Sequence, residues 1–220
     1  MIEDRSGGAP HALRARLAEA QASQRALFEP GRSSHVPLSE YAAANERVLA
    51  AEREVAAATG DRYAQSLDLG FLPETGVSGP FLLQTDTVTV LTFIAVKLAA
   101  DGSRSAAGTA IIEFDLAHWT TFGYPNDEAL SGHPLYGRGL AAYGIYEVHN
   151  SHWVRRMFEQ NKVAFPNTKP SVARHLLFSF HDSTFECICR GVKSALLSSQ
   201  PFPHIFTELS KRVLSQHNME

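Results

Sequence analysis

Apolar residues recur at spacings of three and four twice near the start of the chain. Over residues 10–28, Leu13, Leu17, Ala20 and Leu27 form one stripe among arginines and glutamates, which predicts an amphipathic helix ending at Pro30-Gly31. A second stripe, Tyr41, Ala44, Val48, Ala51, Val55 and Ala58, predicts a helix over 39–59, with Ser39 placed to cap its first turn and Gly60 to end its last. The second stripe is a narrow seam in which alanine permits close approach. Its partner is the first helix, in an antiparallel hairpin, or a second copy of the chain, in a homodimer through 39–59.

Beyond residue 60 the period changes. Gly70, Pro73, Gly76, Gly79 and Pro80 interrupt 61–80, which reads as a connector. Segments 81–98, 108–115, 142–149 and 175–190 are rich in β-branched and aromatic residues and alternate in polarity, as strands do. The first two form a hairpin through Asp101-Gly102, with an extra turn or bulge in its first arm. The last folds back on itself at Asp182-Ser183. Ser151 is placed to cap a helix over 152–163, and Ile205, Phe206, Leu209, Val213 and Leu214 mark a final helix over 203–216. Runs of strands with segregated helices predict an α+β fold: a mainly antiparallel, curved sheet backed by helices on one face, with an N-terminal helical hairpin. The organisation is a hairpin over 1–60, a connector over 61–80 and an α+β domain over 81–220, together one compact unit.

Side chains alternate across a strand, so each strand sorts into two faces. Ala110, Ile112 and Phe114 fall on an apolar face with Leu176, Phe178, Phe180 and Phe185. Cys187 and Cys189, the only cysteines, join them and are expected in the core rather than at a metal or disulfide. The opposite face collects Glu113, Asp115, Glu147, His149, His175, His181, Glu186 and Arg190. An exposed antiparallel sheet shows such residues to water. The interspersed Ile111, Ile145, Leu177 and Ile188 favour a partly covered face, where imidazoles and carboxylates shift one another's pKa values.

The cover is expected from 119–139, which carries four glycines and two prolines without periodicity, as binding loops and lids do. Its aromatic residues Trp119 and Tyr124 suit an apolar ligand wall, and His133, Tyr136 and Arg138 supply polar contacts, with His175 opposite on the sheet.

Composition narrows the partners. A net charge of −3 over 220 residues offers no basic footprint for nucleic acid. No stretch of about 18 uncharged apolar residues suggests a membrane partner, and the first residues lack a basic, then apolar, leader. A cytoplasmic location is expected, and the richness in alanine and arginine suggests a bacterial source.

These features predict a small-molecule enzyme working by histidine–carboxylate acid–base chemistry in a cleft between the polar sheet face and the 119–139 segment. His149 and His181 are the proton-transfer candidates, Glu147 and Glu113 orient or accept, and Arg138 meets an anion. A divalent metal on His149, His181 and Glu147 is conceivable as a 2-His-1-carboxylate centre. The His149-to-His152 spacing is a weak signal, however, and metal-free chemistry needs less, so no cofactor is the expectation. Ser179 beside His181 lacks a glycine-flanked elbow, so serine hydrolysis is not expected there. The alternative from another class is a non-catalytic adaptor or inhibitor that uses the polar face or the hairpin to bind a protein.

Overall fold

The structure is a computed structural model that describes residues 8–29, 36–76, 79–169, 172–197 and 202–217. Helices α1 (Gly8–Ala26) and α2 (Leu38–Ala58) pack against each other, and the stop expected at Pro30-Gly31 lies outside the described residues. Ala44, Val48 and Ala51 of the predicted seam are buried within the chain, so a homodimer through 39–59 has only the outward side of α2 left to use. Gly60, at φ 72°, ends α2 as expected. Ser39 does not cap it: the capping position is Pro37, whose ring carries no hydrogen-bond acceptor, and Ser39 falls inside the first turn.

The α+β class and antiparallel pairing stand, but the strands divide between two five-stranded sheets. One sheet runs β1 (Tyr63–Ser66), β7 (Ile145–His149), β8 (Arg174–Ser179), β9 (Thr184–Cys189) and β6 (Trp119–Gly123). The other runs β10 (Gly191–Leu197), β5 (Arg104–Asp115), β4 (Thr89–Leu98) and β2 (Leu72–Pro73), with β3 (Phe81–Gln84) pairing farther along β4. The expected connector 61–80 therefore supplies an edge strand to each sheet, a position that tolerates Pro73 because one side of an edge strand makes no ladder bonds. The turn and bulge expected in the first hairpin arm are both present: Thr85 N–H donates to Val88 O between β3 and β4, and the β4–β5 register shifts between Ala95 and Val96.

The apolar faces meet each other. Phe93 and Phe114 of one sheet touch Phe178, Phe180 and Phe185 of the other, with ring centroids 5.3–6.2 Å apart. Cys187 and Cys189 are free thiols buried in this layer, as expected. The Cys189 sulfur beside it, together with burial, pushes the Cys187 thiol well up, which leaves a space-filling group rather than a nucleophile. Helix α4 (Phe202–His217) backs the outer face of one sheet through Ile205, Leu209 and Val213 on Val90 and Ile111. The outer face of the other is covered by residues 130–140, whose Leu130, Leu135 and Leu140 pack on Tyr146, Val148 and Leu177. No helix among the described residues is long and apolar enough to cross a membrane.

Candidate functional site

His175 on β8 pairs with Ile188, and Glu186 on β9 pairs with Leu177, which places the two diagonally on the outer face of the β1–β6 sheet. Both are buried beneath the 130–140 cover and α3 (His152–Ala164). The Glu186 carboxylate is held between two imidazoles. His175 Nε2 lies 2.9 Å from Oε2, and His133 Nε2, from the covering segment, lies 3.5 Å from Oε1.

The remaining ring nitrogens fix where the hydrogens sit. Leu135 N–H donates to His133 Nδ1 at 3.2 Å, which leaves the His133 hydrogen on Nε2, toward the carboxylate. Ser151, at the N-terminus of α3, accepts the Val154 N–H at Oγ (3.3 Å), so its own hydrogen is free to be donated to His175 Nδ1, 2.8 Å away. His175 then also carries its hydrogen on Nε2. That N–H is not aimed along the line to Oε2 and finds no aligned hydrogen-bond partner among the described residues. The neutral ring still turns its Nε2–H side toward the carboxylate, in a geometry that ligand binding tightens in many active sites. Burial opposes ionisation of Glu186, but the His133 and His175 imidazoles outweigh it and hold the carboxyl down at about 2.

Trp153, in the first turn of α3, stacks on His175 and also on Trp119. A cavity of about 190 Å³ reaches Glu186, His133 and His175, and Arg62 and His152 also line it. Arg62 Nη1 donates to His152 Nδ1 at 2.8 Å. Burial and the neighbouring Arg62 charge keep the His152 imidazole below its ordinary pKa. A larger cleft of about 400 Å³, between α3 and the ends of β7 and β8, is lined by Ser151, His175, His149, Glu147, Arg174 and Arg155, with Val154, Met157 and Phe158 as apolar wall.

The polar residues assigned to one face are in fact spread over several places. Glu113 is on the outer face of the other sheet, paired with Arg212 of α4 at 2.6 Å. Asp115 pairs with Arg190 where the chain passes between sheets. His181 is at the β8–β9 turn, where Asp182, 2.9 Å away, and Asp127 raise its pKa. Register corrects the sorting of β7: Tyr146 lies opposite Leu177 and Glu147 opposite Leu176. Tyr146 and Val148 therefore share the face of His175, and Glu147 and His149 turn to the other side, at the sheet's end. There Glu147 takes a bidentate bond from Arg174 (3.1 and 2.6 Å), which lowers its pKa, and His149 stacks on Tyr63. His149, His181 and Glu147 are thus not brought together. Among the described residues no group of three or more His, Cys, Asp or Glu side chains is arranged to hold a metal.

Of the expected ligand contacts, His133 and His175 converge on Glu186, and Trp119 reaches the same place through Trp153. Tyr124 and Tyr136 are exposed, and Arg138 faces Asp61 at 3.8 Å. Ser151, Trp153, His152 and Arg62 are the residues that pattern alone does not bring to the site. Comparison of the chain with protein-family models, with curated proteins and with solved structures finds no match.

Proposed function

We propose that the protein is a cytoplasmic enzyme acting on a small molecule by histidine–carboxylate acid–base chemistry, with the ligand between the β1–β6 sheet face and the segment that covers it. The observation that carries this reading is the clamp of buried Glu186 between His133 and His175, with His175 bordering both cavities. A carboxylate ionised throughout the neutral range, set against an imidazole that reaches open space, is the arrangement proton transfer needs. In this reading His175 moves the proton, Glu186 orients it, and His149 and Glu147 line the rim of the larger cleft. A divalent metal has no part in the proposal.

The test is a thermal-shift screen of metabolites and divalent metals. A ligand at a hundred times its Kd stabilises the folded state by about 2.7 kcal/mol. The shift is expected to vanish in His175→Asn and Glu186→Gln and to persist in Glu113→Gln, which alters a pair on the other sheet. Ligand shifts that persist unchanged in His175→Asn would remove the reading.

A further inference from the structure

We infer that Ser151 is a nucleophile, activated by His175 and Glu186, and that the larger cleft binds a carboxylic ester whose acyl group Ser151 accepts. The inference rests on the acid–base reading above and adds covalent chemistry to it.

Three observations carry it. Ser151 Oγ, His175 and Glu186 are in successive contact, by a hydrogen bond of 2.8 Å between Oγ and Nδ1 and by an unaligned approach of 2.9 Å between Nε2 and Oε2. The serine is on Nδ1 and the carboxylate on Nε2, the reverse of the familiar serine–histidine–aspartate order, but the proton accounting is the same: one ring nitrogen accepts from the hydroxyl while the other faces a fixed negative charge. The hydroxyl itself lies where a strand turns sharply into a helix. Strand β7 ends at His149, Asn150 takes a left-handed φ of 52°, and Ser151 opens α3. That strand–turn–helix setting is the structural context of nucleophile elbows, reached here without their glycines. The first-turn N–H groups of His152 and Trp153 have no acceptor within the helix, since an α-helix leaves its first amides unpaired. They are suited to receive the oxyanion that forms on the substrate carbonyl.

The open space agrees with the chemistry. Ser151 and His175 both line the 400 Å³ cleft, with Val154, Met157 and Phe158 as an apolar wall and Arg155 at the side. Arg174, also there, is already engaged by Glu147, whereas Arg155 has no ion pair among the described residues. The class that fits is a short-chain carboxylic ester, with an anionic substituent reaching Arg155. Oγ attacks the carbonyl carbon as its proton passes to Nδ1. The carbon–oxygen bond to the alcohol then breaks, and the imidazolium returns the proton to the leaving oxygen. Water repeats the sequence on the acyl-serine, giving the acid and free Ser151.

The experiment treats the full chain with an alkyl fluorophosphonate, which forms an oxygen–phosphorus bond to an activated serine and expels fluoride. The site is mapped by peptide mass, and hydrolysis of p-nitrophenyl acetate and butyrate is followed in parallel. Expected are stoichiometric labelling at Ser151 and a fall of at least about 100-fold in labelling rate in His175→Ala. Glu186, acting through His175, is a positioning residue. Glu186→Gln should slow labelling about tenfold and move the acid limb of its rate–pH profile to lower pH, which loss of packing alone would not do. Ser151→Ala also removes a helix cap, so Ser151→Asn is the decisive variant. Asparagine caps a helix as well as serine does and can donate to His175, but it has no nucleophilic oxygen. It should fold, melt near the wild type and take no label. A folded wild type that takes no label, label on another residue, or label that survives in Ser151→Asn overturns the inference. If, in that event, metabolite-induced melting shifts still depend on His175, the acid–base reading stands alone; if they do not, both fall.

Discussion

Trp153 lies almost parallel to His175, with ring centroids 4.9 Å apart and planes 16° from each other. It is as nearly parallel to Trp119, at 5.5 Å and 8°. Trp119 and His175 both pair with Ile188, one from each neighbouring strand, so they stand two strand spacings, roughly 9–10 Å, apart. The Trp153 ring fits the slot between them and holds the imidazole upright over the sheet. Trp153→Ala is expected to destabilise the fold by about 2–3 kcal/mol, below the range for a fully buried ring because Trp153 is only half-buried. Trp153→Phe should lose less than half of that. Urea unfolding followed by circular dichroism measures both, and wild-type stability in Trp153→Ala would remove the packing role.

Glu186 gives the site an acid-sensitive contribution to stability. Its folded pKa of about 2 lies below the usual 4.5, so more protons bind to the unfolded chain. The contribution is fully present above about pH 4.5 and is lost as pH falls through about 2. A shift of this size corresponds to about 3 kcal/mol. The stability difference between wild type and Glu186→Gln should therefore shrink steadily from pH 4.5 downward. Other depressed carboxyls, Glu147 among them, act equally in both proteins and cancel in that difference. Urea titrations at pH 7, 4.5, 3.5 and 2.5 measure the trend, and a difference independent of pH would show that Glu186 is not held ionised by its imidazoles.

How far the sequence discloses this molecule depends on what is local. The outward Glu113 and inward Phe114 of β5 follow from alternation alone, because one face is wholly apolar. In β7 both faces carry apolar residues, Ile145 on one and Tyr146 and Val148 on the other, so alternation divides the strand without saying which side is buried. Only pairing of Tyr146 with Leu177 decides it. Strand β10 has Lys193 and Ser194 at its centre and begins at Gly191, directly after Arg190, and no short-range signal marks that step as the passage to a second sheet. The Ser151–His175–Glu186 chain is legible only in fragments. Ser151 reads as a cap and the other two as polar residues on one face of the β8–β9 hairpin, whose pairing is local; what pattern does not disclose is that the start of α3 packs against that face.

Tyr143 and Asp127, which flank the cover in sequence, form a second titrating pair near the β8–β9 turn. The Tyr143 hydroxyl donates to Asp127 Oδ2. That bond, with burial and the negative charge beside it, pushes the phenol up to about 12, and the same bond lowers the Asp127 carboxyl. Asp127→Asn removes the charge that opposes phenolate formation, so Tyr143 should ionise at lower pH in the variant. Tyr146, also raised to about 12 by burial, should not move, and it serves as the internal reference. Ultraviolet difference titration of wild type, Asp127→Asn and Tyr143→Phe resolves the two. An unchanged tyrosinate titration in Asp127→Asn would show that the carboxylate does not govern the phenol.

Gly139 is the point at which the cover is pinned beneath α2. Its φ of 91° is one that side-chain-bearing residues rarely adopt. A Cβ there would stand 2.4 Å from the Ala64 carbonyl and 2.5 Å from Arg53 Cγ. The Gly139 N–H donates at 3.0 Å to Glu52, whose carboxyl burial raises, while the preceding Arg138 carbonyl accepts from Ala64 N–H at 2.9 Å. Gly139→Ala must therefore displace backbone on β1, strain its own φ and loosen a buried carboxylate together, and a loss of about 3 kcal/mol or more is expected. Gly60→Ala also has a positive φ but open space around it, and should lose only about 1 kcal/mol. Because His133 lies on the same cover, Gly139→Ala should also weaken its contact with Glu186. A partly denatured cover would then show as faster amide exchange at Leu135 and Leu140 than in β5. Protection at those amides equal to wild type, with unaltered urea stability, would mean that the cover does not depend on this close approach.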